Sequence, residues 1–191
     1  MKDEKGKPGY IKAEKNRYLI WSIAEFAVVA ALVIIGYVQT GSKMNLLTVV
    51  AVVGCLPAAK TLVEFITMAP HKSIETKKNK EIEEKANLLV KAYDLIITNS
   101  EKVMPVDVIV ISGHTVCGYT SNPKTDEAKV SSYLKEMLQK NHCEKVTVKV
   151  FHDYVAFLSR AEGMNNIASI DKTDNRKLER KIKKLILSTS M

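Results

Sequence analysis

The sequence predicts an α+β protein: a two-helix transmembrane hairpin followed by a small cytosolic domain with a short mixed sheet flanked by helices. Three observations predict it. Two long apolar stretches, Tyr18 to Val38 and Met44 to Met68, lie back to back behind a basic N-terminus. A strand-like apolar segment, 106–120, folds back on itself at a Gly-His pair. Apolar residues at helical spacing recur on both sides of that segment, which puts helices around the strands.

Each apolar stretch is long enough to cross the ~30 Å hydrocarbon core at a rise of about 1.5 Å per residue. Only Gln39 to Lys43 join them, so the two must run antiparallel. The first stretch exceeds the length of a signal-peptide core and a second follows at once, which makes it a retained anchor. Lys2, Lys5, Lys7, Lys12, Lys15 and Arg17 precede it, and five lysines follow the second between 70 and 86. Positive flanks stay inside. The expected topology is therefore multi-pass in the cell membrane with both termini cytoplasmic, in four parts: a basic N-terminus 1–17, a hairpin 18–69, a juxtamembrane linker helix 70–85 and a domain 86–191. Tyr18 and Trp21 suit the inner interface and Tyr37 the outer one.

Three charges stand inside the spans: Glu25, Lys60 and Glu64. At helical rise Glu25 is about 10 Å from the inner edge, and Lys60 falls near the same level. A Glu25–Lys60 pair across the hairpin is geometrically possible, with Glu64 competing from one turn away. Pairing that registers the two helices is favoured over an ion relay, because two spans alone make no pathway. Gly54 and Cys55 allow close helix contact, and Pro57 predicts a kink.

The net charge of +8 is uneven. It collects on the membrane flanks and in the last nineteen residues, whereas 87–172 holds ten Lys/Arg against ten acids. A neutral domain argues against a nucleic-acid partner, which would need clustered cations. Cys55, Cys117 and Cys143 show no disulfide spacing.

In the domain, a polar helix is expected from Lys77 to Ala92 and a strand over Leu95–Thr98. Val106–Ser112 is apolar on both faces, as a central strand is. Gly113-His114 is a two-residue hairpin turn, and Thr115–Thr120 is the returning strand. Thr125 or Asp126 caps a helix carrying Val130, Tyr133, Leu134, Met137 and Leu138. Val146, Val148 and Val150 alternate as a further strand. Asp153 starts a short helix stopped by Gly163. A basic amphipathic helix runs from Asp174 to Leu187 on Leu178, Ile182, Leu185 and Ile186, and presents Arg176, Lys177, Arg180, Lys181, Lys183 and Lys184 to lipid or to a partner.

The order helix–strand–strand–strand–helix–strand, with Pro105-Val106-Asp107 before an apolar strand, resembles the core of the restriction-endonuclease-like (PD-(D/E)xK) superfamily. The resemblance implies Asp107 as a metal-binding acid, joined by an acid and a lysine on the next strand. That strand here reads TVCGYT, and no acid or lysine occurs between Asp107 and Lys124. The implied site is degenerate, leaving Asp107, His114 and Cys117. A zinc site is poorly served by His114, Cys117, His142, Cys143 and His152: the first two point to opposite strand faces, and His142 and Cys143 are adjacent. A Cys117 nucleophile served by His152 and Asp153 lacks any local feature that would activate the thiol. No metal, cofactor or catalytic residue is assigned.

Over nearly its full length, through GCLPAAK, PHKSI, MPVD, ISGHTVCGYTSNPK and NNIASI, the chain resembles a family of small bacterial two-span membrane proteins. Such proteins are sometimes labelled O-linked GlcNAc transferase-like. An enzyme of that kind needs a helical repeat array and a two-lobed nucleotide-sugar domain, which about 120 soluble residues without a repeat do not supply. The expectation is a non-catalytic membrane-anchored module that binds a partner protein or the inner leaflet, or a homo-oligomer formed through the hairpin. The alternatives are a small membrane enzyme or transporter accessory subunit using Glu25, Lys60 and Glu64, or a divergent nuclease-like domain.

Overall fold

The computed structural model describes residues 5–42, 45–98, 103–171 and 175–190. It divides into two units, Ile11–Lys72 and a second made of Met1–Tyr10 with Ser73–Met191. The chain is α+β.

The first unit holds α1 (Tyr10–Thr40) and α2 (Leu46–Met68). α1 begins eight residues before the apolar stretch. Its basic first turns are rich in Lys, Glu and Ala, all strong helix formers, so the helix runs on past the end of the apolar segment. After α1, Gly41 adopts φ +63° and its N–H bonds the Tyr37 carbonyl at 2.9 Å, a glycine stop. Asn45 caps α2 by accepting the Thr48 N–H at 2.8 Å. Small residues mark the seam: Ser22, Gly36, Ala51 and Ala58 are buried, and a Cβ on Gly54 would meet Val29 at 3.4 Å. The large apolar side chains point the other way. Trp21, Ile34, Val38, Leu46 and Leu56 are all exposed, and only 11 % of each apolar stretch is buried in the protein.

The second unit contains α3 (Thr76–Lys85), β1 (Val90–Thr98), β2 (Val103–Ser112), β3 (Thr115–Tyr119), α4 (Glu127–Lys140), β4 (Thr147–Phe151), α5 (Tyr154–Ile170) and α6 (Arg176–Thr189). The sheet order is β1-β2-β3-β4. β2 is antiparallel to both neighbours, whereas β3 and β4 are parallel. A parallel pair needs a crossover, and α4 supplies it. Asp126 is the residue that caps α4, accepting from Ala128 and Lys129.

Helices cover both faces of the sheet. α4 and α6 bury one face against Leu95, Ile97, Ile109, Ile111, Val116 and Val150. α3 and α5 bury the other against Tyr93, Val108, Val110, Cys117 and Tyr119. A central strand apolar on both faces requires this arrangement, which is what the VDVIVIS run of β2 signals. Pro105 sits inside β2 without breaking the ladder. Its carbonyl accepts the Thr120 hydroxyl at 2.8 Å on the β3 side, just past the last β2–β3 rung, Val108↔Tyr119. The missing N–H lies on that same side, so no ladder bond is lost.

Two expectations are corrected. The helix expected to Ala92 ends at Lys85, and residues 90–92 are strand: Ala86, Leu89, Val90 and Tyr93 have helical spacing, but pairing with β2 begins at Val90↔Ile111 and overrides that local pattern. α5 also runs through Gly163 to Ile170, because Phe157, Leu158, Ala161 and Met164 form a continuous buried face. That burial outweighs a glycine penalty of about 1 kcal/mol.

Candidate functional site

Within the hairpin, Glu25 accepts a hydrogen bond from the Thr61 hydroxyl at 2.7 Å. The Glu25–Lys60 pair is not formed. Positions 51, 54, 58 and 61 of α2 recur at three- and four-residue spacing and face α1, and Lys60 lies off that stripe. Lys60 is exposed and, among the described residues, makes no ion pair, while Glu64 is half-buried.

Asp107, His114 and Cys117 share the β2–β3 hairpin but do not converge. Asp107 lies in the middle of β2 and His114 in the turn beyond its end, seven residues on and roughly 20 Å away at strand rise. His114 is exposed in the turn, where Gly113 supplies φ +53°. Cys117 faces the core under α3 and α5, and burial pushes its thiol up to about 12. It is a neutral packing group, not a nucleophile. The residues that could have served it are engaged elsewhere. Asp153 caps α5 by accepting the Val155 N–H at 2.9 Å. The His152 ring contacts two backbone carbonyls, Nδ1 at 3.1 Å from Thr120 and Nε2 at 2.7 Å from Thr125. A carbonyl oxygen only accepts, so both contacts are hydrogen bonds when the ring carries both protons. Among the described residues, no group of three or more His, Cys, Asp or Glu side chains could hold a metal ion.

Asp107 has a neighbour that the sequence reading missed. Asp94 of β1 occupies the opposing rung, between Tyr93↔Val108 and Leu95↔Val106, and takes φ +54°. The in–out alternation of both strands is interrupted there: Tyr93 and Val108 face one core, Leu95 and Val106 the other. Both carboxylates are buried. Asp94 Oδ1 accepts the Ile74 N–H at 3.0 Å, and Asp107 Oδ2 accepts the Ser121 N–H at 2.8 Å. Burial raises the Asp107 carboxyl above its ordinary value, and the charge of Asp94 adds to the rise. The Ser121 hydrogen bonds and Lys78 pull in the other direction without cancelling it.

Lys78 completes this polar cluster from α3. Its ammonium donates to Tyr119 Oη at 3.1 Å and lies 5.2–5.3 Å from the Tyr119 and Tyr154 ring centres. The Tyr119 hydrogen bond is the main reason its pKa is raised, so it stays charged. Tyr154 in turn donates to Glu81 at 2.8 Å. Lys78 and Glu81 tie α3 to β3 and α5, Asp94 ties β1 to the segment before α3, and Asp107 ties β2 to the β3–α4 loop, so the cluster works as a polar tie between layers. The sequence signal was an aspartate inside each of two apolar strands, KAYDLIIT and VMPVDVIVIS.

The basic C-terminal helix is half committed to the fold. Ile182 and Ile186 are fully buried against β1 and β2. Its apolar face is therefore taken up by the sheet, and only its basic face is left outward. Arg176, Lys177, Arg180, Lys181 and Lys184 are exposed, and Lys183 is half-buried, its pKa lowered by that burial. Between the β2–β3 turn, α5 and the start of α6 lies an open cleft of about 540 Å³, lined among others by Leu88, His114, Arg160, Ile167, Arg176 and Glu179. The Gly113 N–H donates to Glu179 at 2.7 Å, which docks the turn onto α6. No family model matches this chain, and neither does any curated protein or solved structure.

Proposed function

We propose that the protein is a membrane-anchored interaction module: a helical hairpin in the cell membrane carrying a non-catalytic α+β domain on the cytosolic side, which binds a partner there. One observation carries the reading. α1 and α2 turn small residues toward each other and large aliphatic residues outward, an arrangement that water penalises and lipid does not. The excess of Lys/Arg on both flanks supports cytoplasmic termini. The domain supports a binding role over a catalytic one, because its buried titratable groups are spent on structure: Asp107 on Ser121, Cys117 on packing, Lys78 on Tyr119.

The test is fractionation with tag accessibility. Alkaline carbonate should leave the chain in the membrane pellet, detergent should extract it, and protease outside intact cells should spare tags at both ends. Release by carbonate, or cleavage of either tag from outside, refutes the reading.

A further inference from the structure

Five large hydrophobic residues of the α+β unit are exposed among its described residues: Leu88, Val103, Val155, Ile167 and Ile170. Three of them gather at one place. Leu88 and Ile167 line the cleft, and Ile170, 80 % exposed, follows one turn later on α5. Exposed aliphatic residues scattered singly are ordinary, whereas a group marks a contact surface. The cleft itself pairs two arginines with two carboxylates, and the excess of cations beside this group comes from α6. Arg160 and Arg176 line the same cleft, and the exposed Lys177, Arg180 and Lys184 continue along α6, whose Lys181 turns to the end of α4 and donates to the Asn141 carbonyl at 3.1 Å. Two carboxylates also line it, Asp171 and Glu179, and Glu179 is bound to the Gly113 N–H.

Aliphatic tips beside arginine and lysine match the layered chemistry of an anionic bilayer surface. The tips enter the boundary between headgroups and acyl chains, and the cations meet the phosphates. We propose that Leu88, Ile167 and Ile170, with Arg160 and the basic row of α6, form the surface by which the α+β unit docks on an anionic bilayer. The proposal rests on the membrane reading of α1 and α2, which holds lipid near the tethered domain at high effective concentration.

The test uses the full chain, whose single tryptophan is Trp21. In a Trp21→Phe background, Ile170→Trp places the only indole at the proposed contact, and Val155→Trp places it on the first turn of the same helix as a control. Both are reconstituted in vesicles of roughly 30 % phosphatidylglycerol with brominated acyl chains, where emission at 170 should fall about twofold relative to unbrominated vesicles while that at 155 holds. Arg160→Glu with Lys177→Glu should restore the emission, as should raising salt from about 0.05 to about 0.5 M. No quenching at 170, equal quenching at both positions, or quenching indifferent to both charge reversal and salt overturns the proposal. It is likewise overturned if the emission at 170 responds only to added native membrane proteins, since the surface then takes a protein. Failure of the anchoring reading would show separately, as release by carbonate.

Discussion

At Asp107 a single carboxylate reports the balance between burial and hydrogen bonding. Its folded pKa is raised, so the folded state holds this proton more tightly than the unfolded chain. The stability it contributes is complete below the ordinary value of 3.8 and is lost as pH rises through the folded value. Asp107→Asn keeps an acceptor for the Ser121 N–H and removes the charge. Urea titrations across this window should show the wild type losing stability relative to Asp107→Asn as pH rises; the reverse slope would contradict the assignment. Cys117 makes a second residue-level prediction. A thiol moved from 9.0 to about 12 has about 10³-fold less thiolate at neutral pH, since each unit is tenfold. Mass-spectrometric timing of alkylation should find Cys117 at least that much slower in the native protein than in urea.

At the scale of elements, α5 shows where local propensity gives way to packing. Gly163 lies within it, and a Cβ there would meet nothing within 4 Å. Gly163→Ala adds no clash and reduces the freedom of the unfolded chain, so it should raise stability by about 0.5–1 kcal/mol, read as an increase in Tm. A decrease would mean that the space is not open. β1 is the complementary case. The period of Ala86, Leu89, Val90 and Tyr93 is helical, but Val90 and Tyr93 pair with Ile111 and Val108 of β2, far away in sequence, and only the folded sheet brings them into register. The seam of the hairpin follows the same logic in reverse. Gly54 was legible as a point of close helix contact, but which polar group met Glu25 depended on the rotation of α2, and that rotation selected Thr61 over Lys60.

In the α+β unit as a whole, both chain ends meet the β1 edge of the sheet. The Gly6 carbonyl accepts the Tyr93 N–H at 2.9 Å, Ser190 bridges to Ile97, and Lys5 donates to the Ser190 carbonyl. Pairing of this kind blunts an edge that would otherwise recruit another strand. A chain lacking residues 1–8 should therefore lose about 1 kcal/mol in chemical denaturation and aggregate faster, since a buried N–H on β1 loses its partner. Unchanged aggregation would show the edge to be protected by other means.

The identity of most elements was legible because hydrophobic period, run length and capping residues are local quantities. Asp126 and Asp153 cap helices, Gly113-His114 turns the hairpin, and VDVIVIS is a strand buried on both faces, each readable from a few neighbouring residues. The two helices fit to cross a membrane were readable in the same way, from composition alone. What required the tertiary structure was every relation between residues distant in the chain: the Asp94–Asp107 rung, the clamp of His152 on two carbonyls, the burial of the apolar face of α6 and the gathering of Leu88 with Ile167. Such relations depend on strand register and helix rotation, which are set by the packing of the whole core and written in no short stretch of sequence.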